Sequence, residues 1–225
     1  MALFTKKYSK PGSAPGEALL SALHGEDSAT LSVMDFSEQN LSEESNVDLA
    51  AIRRYLASPD ITWLHVQGCP SAAVLKNLGE VYGLHTLALE DVFKAGQRSK
   101  AEHYADHYFL LINIPVNTTD GADSEQACFF LGERYLLSFH NGDESIWEPI
   151  RKRLRNEPPT RVRSSGADYL LYTLLDTAID NAFPYLETLA TKIESIEESI
   201  FRNPEPAAID KLHAIRHKLI FLRRM

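Results

Sequence analysis

Gln126-Ala127-Cys128-Phe129-Phe130-Leu131-Gly132-Glu133-Arg134-Tyr135-Leu136-Leu137-Ser138-Phe139-His140 holds two apolar runs parted by a short polar break, and its reading decides the fold. Both runs are rich in aromatic residues, so 126–131 and 135–140 predict the two strands of a hairpin. Working outward, His107 to Val116 is a long apolar strand, Ile61 to Val66 a β-branched and aromatic strand closed by Gly68, and Leu31 to Phe36 a further strand. Helical periodicity lies between them. Asn46 to Ala57 predicts a helix with Asn46 as N-cap and Leu49, Ile52 and Leu56 inward. Ser71 caps a second helix through about Tyr82, with Val74, Leu75, Leu78 and Val81 on its apolar face and Gly83 at its end. Asp143 to about Arg155 is a third. Hairpins interleaved with helices predict an α+β fold, an α/β/α sandwich around a mixed, largely antiparallel sheet.

From Asp168 onward the pattern is helical. Ala182, Leu186, Leu189, Ile193, Ile196 and Ile200 alternate steps of four and three, the spacing of a seam packed against another helix. After Asn203-Pro204-Glu205-Pro206 the ladder resumes at Ile209, Leu212, Ile215, Leu219 and Leu222. It is still running at Arg223-Arg224-Met225, with no glycine cap, and so reads as the start of something longer. The expectation is a piece of a larger protein. It has a sensor domain over 1–165 and a helical region over 166–225, made of a helix over 168–202 and the beginning of a stalk helix over 206–225. Pro184 inside the first helix predicts a kink or a boundary near Ala182, because an interior proline costs about 3 kcal/mol.

Composition narrows the function. A net charge of −8 argues against a general nucleic-acid binder and suits cation binding. Cys69 and Cys128 are too few for a disulfide framework or a CxxC zinc site, so a reducing, cytoplasmic setting is expected, with Cys128 buried. The sequence has no run of eighteen apolar residues to span a bilayer, and its start lacks the long apolar core of a signal peptide. The basic cluster Arg151, Lys152, Arg153, Arg155, Arg161 and Arg163 reads as a solvated helix face and loop rather than a phosphate site.

No P-loop, GxSxG elbow, HExxH or EF-hand loop is present, and no recognisable nucleophile and base set, so the expectation is no enzyme. His103 and His107 have the four-residue spacing of zinc ligands on a helix, but they run into a strand, where that spacing converges poorly. The carboxylates are better candidates. Glu90-Asp91 sits in Leu87-Ala88-Leu89-Glu90-Asp91-Val92-Phe93, a short helix whose apolar members should point inward and leave the acid pair outside. Asp176 and Asp180 share one face of the long helix, where like charges repel unless a cation lies near.

Several segments, in order along nearly the whole chain, together carry a resemblance. They are Tyr8-Ser9-Lys10-Pro11-Gly12, Thr62-Trp63-Leu64-His65-Val66-Gln67-Gly68, and Gly83-Leu84-His85-Thr86-Leu87-Ala88-Leu89-Glu90-Asp91-Val92 running on into Gln97-Arg98-Ser99-Lys100. Glu125-Gln126-Ala127 and Arg163 through Asp180, around Ala167-Asp168-Tyr169-Leu170-Leu171-Tyr172, complete the set. With these the chain resembles the cytoplasmic domain of the CorA family of magnesium and divalent-cation channels. Gly96 and Ser99 depart from the family's His-Gln-Arg-Pro-Lys, which removes a ligand-capable side chain and a rigid turn.

The resemblance implies a homopentameric funnel in which each α/β/α domain leads through a long stalk helix to two membrane spans. It implies inner-membrane localisation with this domain in the cytoplasm, and partners limited to divalent ions, further copies of the chain and the membrane. The spans, the Gly-Met-Asn pore signature and the stalk residues facing Asp91 would lie beyond Met225. It also implies that Asp91 is the principal ligand of regulatory Mg²⁺ (with Co²⁺, Ni²⁺ or Zn²⁺ as alternatives), with Glu90, Asp176 and Asp180 as second-site ligands. Two alternatives stay open. One is a zinc transporter of the ZntB-like branch on the same fold, where His85 and His103 matter more than the acids. The other is a soluble α/β enzyme or ligand-binding domain.

Overall fold

The computed structural model describes residues 29–94, 96–118, 121–202 and 206–223. Residues 1–28, with the Tyr8-to-Gly12 segment among them, residues 203–205 of the expected helix break and the chain end at Met225 lie outside them. Seven strands form one sheet: β1 (Thr30–Phe36), β2 (Leu41–Ser45), β3 (Ile61–Gln67), β4 (Lys100–Tyr104), β5 (His107–Thr118), β6 (Gly121–Leu131) and β7 (Tyr135–His140). Their order is β2-β1-β3-β7-β6-β5-β4. Every neighbouring pair is antiparallel except β3 and β7, which run parallel, with Leu64 opposite Leu137.

The quoted hairpin is β6–β7, closed by Gly132 N–H donating to the Tyr135 carbonyl at 3.0 Å. The Tyr135 ring lies across Gly132, where an added Cβ would stand 2.2 Å from it. Both strands sit mid-sheet and are buried on both faces, which is why they read as continuous apolar runs. Leu137, Phe139, Cys128 and Phe130 face one layer, and Leu136, Ala127 and Phe129 the other.

Helices α1 (Ile52–Leu56), α2 (Ala72–Tyr82) and α3 (Thr86–Phe93) supply the first layer, burying Ile52, Val74, Leu75, Leu78, Ala88 and Leu89. Helices α4 (Glu148–Arg155) and α5 (Ala167–Asp180) supply the second, where Ile150, Leu154, Leu170 and Leu174 close over Trp63 and Trp147. Each of the buried Leu, Ile and Val side chains stabilises the fold by roughly 1.5–3 kcal/mol through burial. The architecture is the expected α/β/α sandwich on a mixed sheet.

Local corrections accompany it. The helix expected over 46–57 is cut short: Asn46 takes a left-handed φ of 56°, Asp48 caps a 3₁₀ turn at Leu49–Ala51, and only Ile52–Leu56 is α-helical. The cause is β2, whose Ser45 pairs with Ser32 and leaves the chain free to coil only afterwards. Leu56, expected inward, is 45% exposed, and Tyr55 fills the core in its place. The helix expected from Asp143 begins as a 3₁₀ turn (Glu144–Trp147) before α4.

After α5, the helical run continues as α6 (Phe183–Arg202) and α7 (Pro206–Leu222). The boundary foreseen from Pro184 lies at Asn181–Ala182, so the proline falls in the first turn of α6, where its missing N–H leaves no bond unmade. Of the ladder, Leu189, Ile196 and Ile215 are buried, while Leu186, Ile200, Leu212 and Leu219 face outward. Among the described residues, no helix is long and apolar enough to cross a membrane.

Candidate functional site

Local sequence sets the position of the acid pair. Ser71 Oγ accepts from Val74 N–H to start α2, and Gly83 ends it in the left-handed region at φ 67°. Two residues on, His85 Nδ1 accepts from Leu87 N–H at 3.2 Å and starts α3. The tight turn lays α3 against α2, with Leu84, Ala88 and Leu89 in the shared core.

This rotation corrects the expected face of α3. Glu90 is turned inward and only 8% exposed, whereas Leu87 and Phe93 are 42% and 40% exposed. Burying Ala88 and Leu89 against α2 forces the next residue part-way into the same layer. A carboxylate there needs a cationic partner, and Lys94, one turn later, supplies its ammonium to Glu90.

Asp91 is partly covered and has its own partner. Lys100, the first residue of β4, places Nζ 2.6 Å from Asp91 Oδ2 and 2.8 Å from Glu102 Oε1. Tyr104 O–H in turn donates to Glu102 Oε2 at 2.9 Å. Burial works against the Lys100 charge, but Asp91 and Glu102 outweigh it and hold its pKa above the ordinary lysine value. The Lys100 hydrogen bond keeps the Glu102 carboxyl below the usual glutamate range, against a smaller opposing effect of burial.

The frame around the pair is hydrogen-bonded. Gln126 Nε2 on β6 donates to the Asp91 carbonyl at 3.1 Å. Asn113 on β5 donates from Nδ2 to the Gln97 carbonyl at 2.9 Å and from its backbone N–H to Ser99 Oγ at 3.2 Å. Ser99 therefore anchors by a hydrogen bond the loop that a proline at that position would stiffen. Beside it a cavity of about 600 Å³ opens between Cys69, Val92, Phe93, Asn113, Glu125 and His140.

Asp176 and Asp180 are exposed on α5. Since α3 packs on one face of the sheet and α5 on the other, one chain does not bring these acids to Glu90 and Asp91. Among the described residues no group of three His, Cys, Asp or Glu side chains is placed to hold a metal ion. At this site the chain offers the adjacent carboxylates of Glu90 and Asp91. That suits a hard, water-retaining ion such as Mg²⁺, which takes one or two protein carboxylates, better than a closed tetrahedral zinc site.

His103 pairs across the β4–β5 hairpin with Tyr108, and His107 with Tyr104. Adjacent cross-strand pairs point to opposite faces, so these two histidines cannot converge on one ion. His103 packs on Tyr108 at 4.4 Å, and His107 is buried between Tyr104 and Phe130. The basic cluster is likewise not one solvated face. Arg151 is buried 2.6 Å from Glu144, Arg155 clasps Glu43 and Glu148, and Arg163 is buried against the Ser37 and Glu38 carbonyls. Arg155 and Arg163 tie the second helical layer to the β2 edge. Cys128 is buried as expected, and burial pushes its thiol up to about 12.

The sequence reading missed Lys94, Lys100 and Glu102. The i,i+4 spacing of Glu90 and Lys94 is a legible signal; the Lys100 contact, made across a loop, has none.

The chain matches the family model described as "CorA-like Mg2+ transporter protein" over residues 58–225. It is 28% identical over 217 residues to the cobalt/magnesium transport protein CorA of Thermotoga maritima, covering 96% of this chain and 61% of that protein. It is also 28% identical to the putative metal ion transporter YfjQ of Bacillus subtilis, over 74% of this chain and 51% of that protein. The chain therefore spans between half and two thirds of these relatives. Among solved structures, it superposes on the soluble domain of CorA from Methanocaldococcus jannaschii with TM-score 0.65 and 15% identity, covering 86% of this chain and 73% of that one. The cytoplasmic domain of ZntB from Vibrio parahaemolyticus gives 0.64 at 14% identity, over 87% and 74% of the two chains.

Proposed function

The chain belongs to the CorA-like Mg²⁺ transporter family, and from that premise we propose that it is the cytoplasmic regulatory domain of a divalent-cation channel, not an enzyme. In this reading residues 1–165 sense intracellular Mg²⁺ and residues 166–225 begin a stalk that leads to spans in the inner membrane. The assembly is a homopentamer, and Co²⁺ or Ni²⁺ can replace Mg²⁺.

Asp91 is the principal ligand and Glu90 its neighbour at a second site. The observation that carries the reading is the acid pair on α3, with each carboxylate paired to a lysine ammonium. Such a pair is a place where cationic charge is required. Asp176 and Asp180 lie on the opposite layer, so they can join Glu90 and Asp91 only by contact between two copies. The gating then follows from electrostatics. Glu90, Asp91 and Glu102 outnumber the ammoniums of Lys94 and Lys100 three to two, so adjoining subunits keep a net repulsion that loosens the funnel when cation is scarce; bridged by a dication, they hold it closed.

The test is a Mg²⁺ titration of channel closing in the full-length protein carrying Asp91→Asn. Closing should need severalfold more Mg²⁺, and unchanged sensitivity would sink the assignment. A zinc-transporting reading draws on the likeness in fold to the ZntB domain. Transport assays with Zn²⁺ and Mg²⁺ side by side separate the two.

A further inference from the structure

We propose that Lys100 is a tethered counter-ion that competes with divalent cation for Asp91, and that Glu102 is the acceptor to which its ammonium retires when displaced. This rests on the reading of Asp91 as a divalent-cation ligand and adds what sets the threshold at which that ligand fills.

The geometry is that of one cation shared between two anions. Lys100 Nζ lies 2.6 Å from Asp91 and 2.8 Å from Glu102, so releasing Asp91 leaves the ammonium already bonded to Glu102. Tyr104 O–H holds the far oxygen of Glu102 at 2.9 Å and fixes the carboxylate in place. The Phe109 ring, 5.5 Å from Nζ, backs the ammonium as a cation–π partner. The Asp91 and Lys100 side chains are 19% and 30% exposed, which weakens screening by salt while leaving the pair reachable from solvent.

Lysine suits the task. Its ammonium is a compact point charge on a flexible stem, without the planar fork that lets arginine grip a carboxylate at two points. A dication arriving at Asp91 repels the ammonium, and Glu102 keeps that displaced charge neutralised. Without Glu102 the ammonium keeps Asp91 as its one carboxylate partner among the described residues.

The experiment is Mn²⁺ binding to the full-length assembled protein, read by electron paramagnetic resonance, with folding checked by circular dichroism. Lys100→Met should tighten Mn²⁺ binding by about fivefold, the scale of one partly exposed ion pair, while Lys100→Arg should not tighten it. Glu102→Gln should weaken binding about threefold when Lys100 is present and have no effect on top of Lys100→Met; a plain field effect would weaken it equally in both backgrounds and so overturn the competition. Independently of affinity, the lysine ammonium resonance of Lys100 should shift on Mg²⁺ addition, and not in Asp91→Asn. If Lys100→Met fails to fold, this resonance decides: no shift overturns the role. Mn²⁺ binding lost in Asp91→Asn but unchanged in Lys100→Met removes the counter-ion and leaves the site standing. Binding unchanged in Asp91→Asn removes the site and the counter-ion with it.

Discussion

Trp147 Nε1–H donates to His140 Nδ1 at 3.2 Å, and this one bond sets the protonation of a buried polar chain. An indole nitrogen only donates, so Nδ1 is bare and the proton sits on Nε2, aimed at Glu125 Oε2 3.1 Å away. His65 follows the same logic. Trp63 Nε1–H donates to Ser138 Oγ at 2.8 Å, and the Ser138 hydroxyl lies 2.7 Å from His65 Nδ1. Gln67 spends its amide N–H on the Gly142 carbonyl, so its oxygen accepts from His65 Nε2 at 3.0 Å. Both imidazoles are neutral members of a satisfied network inside the second layer.

Neutral burial has a pH consequence with a definite sign. Burial lowers the His65 pKa from 6.5 to about 3. Burial also lowers that of His140, with Glu125 opposing. The unfolded chain takes up these protons near pH 6.5 and the folded chain does not. Stability is therefore full above about pH 7 and falls as the pH drops below about 6.5, by up to about 1.4 kcal/mol per pH unit for each imidazole. For His65 the loss continues down to its folded pKa. Urea unfolding between about pH 7.5 and pH 5 measures the slope. His65→Asn should be less stable at neutral pH but show a shallower decline; an unchanged slope excludes His65 as its source.

Gly83 offers a cleaner backbone test. Its φ of 67° and ψ of 30° end α2, and an added Cβ would meet nothing within 4 Å. The cost of Gly83→Ala is thus conformational, about 1 kcal/mol. Gly83→Asn should lose less, because asparagine tolerates the left-handed region. Equal losses from the two variants would show that packing, not backbone conformation, sets the penalty.

How legible each part was follows from where its signal resides. Strands β3, β5, β6 and β7 are covered on both faces, so burial wrote them into the sequence as apolar runs. Edge strands β2 and β4 carry Leu-Ser-Glu-Glu-Ser and Lys-Ala-Glu-His-Tyr, polar compositions that discourage edge-to-edge pairing and hide the strand from pattern reading. Only their neighbours make them strands, and missing β2 is what lengthened the first helix. At the site, the position of Glu90 and Asp91 on a short helix was readable, but its rotation was not. Leu87, Ala88, Leu89, Val92 and Phe93 surround the acids too evenly to choose a face, and the packing of α2 against Ala88 and Leu89 makes the choice. Lys100 reaches Asp91 through a loop whose path no periodicity records.

Arg163 is the residue whose role changed most, from presumed surface charge to buried clasp. It is 3% exposed, donating from Nε to the Ser37 carbonyl at 3.1 Å and from Nη2 to the Glu38 carbonyl at 3.3 Å. Its Nη1 meets Glu157 at 2.6 Å. Both carbonyls lie in the turn between β1 and β2, so this one side chain joins the second helical layer to the sheet edge. Arg163→Met keeps most of the apolar volume and removes all three bonds. The Glu157 carboxylate is largely exposed and can rehydrate, so the loss comes from the two carbonyls and the broken tie. We expect a destabilisation of about 2–4 kcal/mol. Arg153→Met, on the exposed side of α4, should change stability by less than about 0.5 kcal/mol. Urea unfolding of the two variants side by side measures the contrast; comparable small losses from both would return Arg163 to the solvated surface.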